Sequence, residues 1–249
     1  MTTSALPALR GSRHPQWLRA ARRPMGVYLV LWAWMWAVCL VGVTVAIVLT
    51  DRLGTVELSV AQFIRNGPLV WFLFSVGVII VAACLTPHVA NGMTRRSFVV
   101  GTLTATVIGS LLFAAASAGI LLLEGVVYDR MGWGHHAVEG DSYTAGVWEA
   151  GVGTLLLDHA LVTVAGSVTG LLVGVTYYRL GGWWGTLALP LTLLPILAAM
   201  FTTTWSRAPF MPTDEPEAAV YAVNGALVLA AGLAFVLLTR RAPITRTES

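Results

Sequence analysis

Lysine is absent from this chain of 249 residues, in which all 15 basic side chains are arginine. A phosphate-binding loop holds nucleotide phosphates with a lysine, a Schiff-base enzyme forms its adduct on a lysine amine, and a protein kinase carries a strand lysine. The sequence therefore excludes all three kinds of protein. Cysteine is scarce as well, because only Cys39 and Cys84 occur, so there is neither a disulfide framework nor a CxxC metal site.

Charged residues are also few. They make up 11% of the chain, whereas a soluble domain has about a quarter, and the mean hydropathy is +0.76. Long apolar runs recur along almost the whole chain, which excludes a soluble enzyme and indicates an integral membrane protein. The net charge of +3 does not indicate a nucleic-acid partner, because the arginines are spread between apolar runs rather than gathered on one soluble face.

Six apolar runs approach the roughly 20 residues that a helix needs to cross a bilayer. We place them at about 26–50, 67–87, 98–123, 150–175, 184–204 and 218–238. The runs are continuous rather than alternating, which favours helices over a β-barrel. The predicted fold is therefore all-α, a polytopic integral membrane protein with six transmembrane helices. Its predicted parts are a basic N-terminal segment at 1–25, a transmembrane domain at 26–238 and a tail at 239–249.

The positions of the arginines predict the orientation of the spans, because short cytoplasmic segments carry most basic residues. Eleven arginines fall on the side that holds both termini and four on the other side. We therefore expect both termini to be cytoplasmic. The lysine-free composition, rich in Ala, Val, Gly and Arg, is typical of a GC-rich bacterial genome. It predicts the cell membrane as the location, with membrane lipid around the chain.

One short cytoplasmic connection, between the second and third runs, has the features of a turn. Asn91-Gly92 is a turn dipeptide, Thr94 is placed to cap the next helix, and Arg95 and Arg96 follow. Two interpretations remain open. The connection is either an ordinary positively charged loop with a helix cap, or a docking surface for a cytoplasmic partner.

The order of residues in this connection, Pro87, Ala-Asn-Gly, Thr-Arg-Arg and Phe98, resembles the short cytoplasmic loop of permease subunits in type-2 ATP-binding-cassette exporters. Such subunits have six helices, both termini inside the cell and a basic N-terminal segment. The resemblance implies that residues 88–97 form the coupling element, with Arg95 and Arg96 as contacts for a separate ATP-binding subunit. It further implies a second permease subunit, and no cofactor or catalytic residue on this chain. The spans carry no charge pattern that defines a path for ions, which favours an amphipathic or hydrophobic exported compound.

Asp158 and His159 lie within the fourth run, and an ionisable side chain inside a membrane span is a candidate functional residue. Asp158 either serves a substrate or a proton, or has a structural role in an aqueous vestibule or in a pair with Arg130 or Arg207. Adjacent residues face different directions on a helix, so the two are not expected to form one site.

Glycines and prolines add expectations about packing. Gly166, Gly170 and Gly174 recur every four residues and form a smooth stripe, which predicts close contact with another helix of this chain or of a second permease subunit. Pro190 and Pro195 should bend the fifth run.

Two further functions stay open beside the exporter. A membrane-embedded enzyme would use Asp158, His159 and the pair His135-His136 in an outer loop. That pair lies near two carboxylates but lacks a recognised ligand spacing, so we predict no metal site. A non-transporting sensor or assembly subunit would bind a cytoplasmic partner through the arginine turn.

Overall fold

The computed structural model describes residues 15–53, 59, 61, 64–133, 137–139, 142–144, 152–204 and 217–242. The α-helices in this part of the chain are α1 Gln16–Leu53, α2 Val70–Ala90, α3 Arg95–Met131, α4 Val152–Leu187, α5 Leu189–Thr192, α6 Leu194–Thr204 and α7 Glu217–Arg240. A π-helical turn at Arg65–Leu69 leads into α2. Between α3 and α4, the short strands β1 (Ala137–Glu139) and β2 (Ser142–Thr144) pair antiparallel, with Val138 opposite Tyr143.

Several of the described helices are long and apolar enough to cross a membrane. There are five such segments: Gln16–Val45, Gly67–Ala90, Arg95–Met131, Val152–Leu187 and Ala218–Arg240. The prediction of an all-α, polytopic membrane protein is confirmed. The predicted number of six transmembrane helices is wrong, because the run predicted as the fifth span, 184–204, is not one continuous helix.

Three residues mark the breaks in this part of the chain. Gly181 has φ +75° and ψ −177°, so α4 changes direction there, in a conformation that a residue with a Cβ rarely adopts. Pro190 and Pro195 each lie at the second residue of a short helix, α5 and α6. A proline is tolerated in a first helical turn, but deeper in a helix it removes a backbone hydrogen bond and clashes with the preceding turn. Each proline therefore interrupts the helix only locally, because Ala188 and Leu193 keep right-handed helical backbone angles and the Thr192 N–H still donates to the Ala188 carbonyl at 3.0 Å.

The broken segment 182–204 nevertheless runs beside α4, in the opposite direction. Near the end of α4, the hydroxyl oxygens of Tyr177 and Thr186 are 2.9 Å apart. Farther along, Ile196 packs against Gly166, which lies three helical turns back along α4. The segment thus returns the chain along α4, although none of its helices has the length of a membrane span.

The start of the first described helix and the end of the last one both lie against the start of α3. Ala20 of α1 packs closely against Gly101 near the start of α3. Nη1 of Arg95, at the start of α3, donates to the carbonyl of Arg240 at the end of α7, with an N···O distance of 3.2 Å. Because the broken segment supplies one return, five long helices are compatible with a chain whose described ends lie on the same side.

Among the long helices, α4 is the most deeply buried and α1 the least. The backbones of α2 and α4 approach so closely that a Cβ on Gly77 would lie 2.6 Å from the Ser167 carbonyl oxygen. By contrast, α1 covers α3 through aromatic side chains, with the rings of Trp32 and Phe113 centred 4.8 Å apart. α4 is therefore the centre of the bundle, and its two ends position the residues described next.

Candidate functional site

The turn between α2 and α3 consists of Asn91–Thr94, and two residues determine its shape. Asn91 remains close to the end of α2, where its backbone N–H and its Nδ2 both donate to the Pro87 carbonyl, at 3.1 and 2.7 Å. Gly92 has φ +75°, which glycine adopts without the strain that a Cβ would bring. The segment 88–97, implied by the resemblance to be a coupling element, is therefore the end of α2, a tight turn and the start of α3.

A group of hydrogen bonds holds the start of α3 to the end of α2. Thr94 is the N-cap of α3, since its Oγ1 accepts from the Ser97 N–H at 3.1 Å, and its carbonyl accepts from the Ser97 hydroxyl at 2.7 Å. Buried His88 places Nε2 at 3.1 Å from Ser97 Oγ and 3.3 Å from the Thr94 carbonyl oxygen. The serine proton is already used on that carbonyl, so Nε2 of His88 is the donor.

His88 and Ser97 were missed as positioning residues by the sequence argument. The one available signal is that a histidine and a serine flank a very short turn at the border of two apolar runs. Their contact depends on the angle between α2 and α3, which the sequence pattern does not define.

The two arginines after the turn have different surroundings. Arg95 is half-buried and donates to the Arg240 carbonyl, so it ties the turn to α7. Arg96 is exposed and extends the surface that the turn presents. The exposed residues of this surface are Asn91, Gly92, Thr94 and Arg96.

Arginines crowd the end of the bundle that contains this turn, which we call the basic end. The described ones are Arg19, Arg22, Arg23, Arg95, Arg96, Arg179, Arg240 and Arg241. The carboxylates whose side chains the structure describes lie toward the opposite end: Glu124, Asp129 and Asp158. No described acidic side chain therefore balances the charge of the basic end.

Asp158 and His159 face different directions in α4. His159 is buried, and its Nδ1 donates to the Leu155 carbonyl at 2.8 Å. Asp158 is half-buried and accepts a hydrogen bond of 2.6 Å from the Tyr221 hydroxyl of α7. Among the described residues Tyr221 is the hydrogen-bond partner of Asp158, and Arg130, one of the two arginines suggested as a partner, forms no ion pair with it. The other suggested partner, Arg207, lies outside the described residues.

A separate hydrogen-bonded pair joins α7 to α6. Asn224, three residues after Tyr221 on α7, is 1% exposed. Its Nδ2 donates to Thr202 Oγ1 of α6 at 2.8 Å and to the Val220 carbonyl at 2.9 Å. The sequence argument found Asp158 but neither its partner Tyr221 nor the pair of Asn224 and Thr202, because a tyrosine, an asparagine and a threonine on other helices carry no signal of a contact.

A buried seam of hydroxyl groups joins α1, α3 and α4. The Tyr28 hydroxyl donates to Thr106 Oγ1 at 3.2 Å, and the Ser110 hydroxyl donates to Ser167 Oγ at 2.8 Å. Thr163 Oγ1 donates to the His159 carbonyl of its own helix at 2.7 Å and lies 3.2 Å from the Ser110 carbonyl oxygen. Such bonds link helices within a membrane, each contributing roughly 0.6 kcal/mol. The sequence argument missed the seam, although hydroxyl residues four positions apart within apolar runs share one helix face and are the signal for it.

The glycine stripe of α4, Gly166, Gly170 and Gly174, lies against α2 of the same chain. Gly170 contacts the Phe74 carbonyl oxygen, and a Cβ on Gly174 would lie 3.2 Å from Val78 Cα. Of the two possible partners for the stripe, the structure thus places a helix of this chain against it.

Metal-ligating residues do not gather in the described part of the chain, where no group of three His, Cys, Asp or Glu side chains could hold an ion. His135, His136 and Asp141 lie outside the described residues. Comparison with protein-family models, with curated proteins and with solved structures finds no match for this chain. Its function is therefore argued from the arrangement of its own residues.

Proposed function

We propose that this chain is a permease subunit of an ATP-binding-cassette exporter in a bacterial cell membrane. It moves an amphipathic or hydrophobic compound, with a separate ATP-binding subunit on the basic end and a second permease subunit beside it in the membrane. The observation that carries the proposal is the α2–α3 turn, a short and exposed connection that is hydrogen-bonded to the ends of three long helices.

Stiffness of the turn matters because a partner that hydrolyses ATP has to move helices. His88 connects the turn to α2, Ser97 connects it to α3, and Arg95 connects it to α7. A displacement of the turn therefore shifts the ends of these helices together, whereas a flexible loop would absorb it. Packed helices respond to such a displacement by changing between discrete arrangements.

The charge of the basic end supports a protein partner with an acidic docking surface. Attraction between opposite charges accelerates association, and salt weakens it when the charges are exposed. We assign the direct contact to exposed Arg96 and a positioning role to Arg95, whose guanidinium already binds the end of α7. The two arginines of the coupling element thus have separate tasks.

The broken segment 182–204 supports a transporting role over a purely structural one. Gly181, Pro190 and Pro195 divide it into short helices that can reorient through changes at a few backbone angles. The contact between α2 and α4 has no such breaks and brings two backbones together. A transport pathway that opens alternately to the two sides of the membrane needs a fixed part and a part that moves, and the α2–α4 pair and the segment 182–204 would supply them.

The first experiment is to purify the tagged chain in mild detergent and to identify its soluble partners by mass spectrometry. We expect a chain that carries a lysine-containing phosphate-binding loop, and ATP-dependent movement of an amphipathic dye by the reconstituted complex. A folded, monodisperse membrane subunit that brings no ATPase would contradict the proposal and favour the enzyme or the sensor. A complex that binds an ATPase without transport would favour the sensor.

Matched arginine variants test where the partner binds. Arg96→Ala should weaken association about fivefold, which corresponds to about 1 kcal/mol. Arg130→Ala removes the same charge from an exposed position at the opposite end and should leave association unchanged. Equal recovery of the ATP-binding subunit with both variants and with the wild type would contradict the assignment to the basic end.

A further inference from the structure

Three exposed arginines lie in the first turns of α1: Arg19, Arg22 and Arg23. Successive residues of a helix are about 100° apart around its axis, so the three side chains fall within an arc of roughly 100° and share one face. The side of α1 that packs against α3 carries Ala20 and Tyr28, which are 3% and 0% exposed. The arginines therefore point away from the bundle.

The same face of α1 continues beyond the arginines as an apolar surface. Leu29, Val30 and Trp34 lie on it and are 54%, 60% and 70% exposed. Gly26, which follows Arg22 by one turn, is also exposed, and a Cβ built there would meet no described atom within 4 Å. Because α1 is the least buried of the long helices, this face meets the hydrocarbon chains of the membrane.

The arginines lie at the border between the apolar run and water. The sequence from Met25 to Thr50 contains no charged residue, so Arg23 precedes the apolar run by about 3 Å along the helix axis. With 38 residues, α1 is about 57 Å long, whereas the hydrocarbon core of a bilayer is about 30 Å thick. Trp17, which is 40% exposed, is of the residue type that collects at the membrane interface. The first turns of α1 therefore lie at the depth of the lipid head groups.

The depth and the charge of this face select its occupant. A soluble protein could cover only the end of a face whose continuation is covered by hydrocarbon chains. A second copy of the chain, related by a twofold axis, would bring its own arginines against these three, and like charges repel. A lipid phosphate lies at the same depth and accepts paired N–H groups from a guanidinium. An anionic phospholipid, which has no ammonium group to offset its phosphate, therefore fits this face best.

We infer that the arginine face of α1 binds the phosphate groups of anionic phospholipids, whose acyl chains then lie along Gly26, Leu29 and Val30. Each arginine near a membrane surface strengthens such binding about fivefold. The bound lipids hold the start of α1 at a fixed depth in the leaflet at the basic end. The inference does not depend on the proposed function, because it uses neither the α2–α3 turn nor a partner subunit.

The test measures the binding of lipids to the purified chain in detergent by native mass spectrometry. Phosphatidylglycerol and phosphatidylcholine with identical acyl chains are the probes, and the wild type should bind the former about tenfold more tightly or better. Arg22→Gln should weaken the binding of phosphatidylglycerol about fivefold, and Arg19→Gln/Arg22→Gln about twentyfold. Arg179→Gln removes the same charge from a half-buried position of α4 at the basic end and should leave this affinity unchanged.

Equal affinity of the wild type for the two lipids would overturn the inference and leave the arginine face to an acidic protein surface. Equal losses in Arg22→Gln and Arg179→Gln would also overturn it, because the net charge of the basic end, rather than the face of α1, would then control binding. Unchanged lipid affinity in the double variant, together with a change in its oligomeric state by light scattering, would assign the face to a second copy. If the double variant is not monodisperse, Arg22→Gln alone decides, and unchanged affinity in it would overturn the inference.

Discussion

The helix α4 contacts α2 and the segment 182–204 in two different ways. Toward α2, glycines bring backbone against backbone, and Gly170 contacts the Phe74 carbonyl oxygen. Toward the segment, the contact is made by side chains such as Ile196, on short helices that prolines interrupt. Close-packed backbones leave no room for repacking, whereas side chains on short helices can re-form their contacts after a shift. The difference indicates that α2 and α4 form the frame and that 182–204 is the adjustable part.

The largest effect should come from Gly170→Val. The new side chain would collide with the Phe74 backbone, so we expect a loss of about 3 kcal/mol or more in the free energy of unfolding, measured in mixed detergent micelles. Gly119→Val is the control, because nothing lies within 4 Å of a Cβ built there. It should change stability by about 0.5 kcal/mol or less. Similar losses in both variants would show that valine itself, not the contact with α2, causes the effect.

A smaller loss is expected from Ile196→Ala on the other side of α4. The substitution opens a cavity against Gly166. We expect the free energy of unfolding to fall by about 2 kcal/mol, the low end for such substitutions, because the broken segment can repack to fill part of the cavity. Leu191→Ala, at a position that is 72% exposed, should have little effect in the same unfolding measurement. A loss as large as that of Gly170→Val would mean that the segment is as rigid as α2.

Thr202→Val tests the polar link between α6 and α7. Valine keeps the shape of threonine but leaves one Nδ2 proton of Asn224 without an acceptor, which should cost about 1 kcal/mol of unfolding free energy. Thr44→Val is the matched control, since the Thr44 hydroxyl bonds within its own helix to Leu40 at an exposed position. If both variants unfold alike, the bond between α6 and α7 does not stabilise the bundle.

The smallest change in stability should follow Pro195→Ala. Removing the proline restores a backbone N–H to the helix and raises the conformational entropy of the unfolded chain. These effects oppose each other, so the free energy of unfolding should change by no more than about 1 kcal/mol. Amide hydrogen exchange within Leu194–Thr204, followed by mass spectrometry, should nevertheless become slower as the helices join. Unchanged or faster exchange would show that the break does not depend on this proline, and the contrast with α2 would need another cause.

The existence of the long helices was predictable, but their ends and one interruption were not. Hydropathy located α2, α3, α4 and α7, because a long apolar run has to satisfy its own backbone in lipid. It placed the end of α3 at residue 123, whereas the helix continues to Met131. Polar residues at a membrane border continue a helix as readily as they end it. Pro190 and Pro195 predicted a bend, and whether a proline bends or breaks a span depends on neighbours that supply the lost hydrogen bonds.

The candidate sites were predictable only in part. Asp158 was noticeable because a carboxylate is rare in an apolar run, and Arg96 because basic residues mark the turn. The partners of Asp158 and the buried role of His88 were not found, since each contact joins residues of different helices. A single sequence contains no information on the distances between helices. It therefore identifies candidate residues without showing which of them are in contact.

The sequence by itself determined that the chain is helical, lies in a membrane and collects most of its arginines on one side. The hydropathy and charge of a segment depend only on its own residues, so the predictions made from them do not depend on which helices become neighbours. Only the tertiary structure decided that the glycine stripe faces α2, that Arg95 binds the end of α7, and that Asn224 of α7 binds Thr202 of α6. These outcomes depend on how closely each pair of helices can approach, which is set by the shapes of both surfaces together.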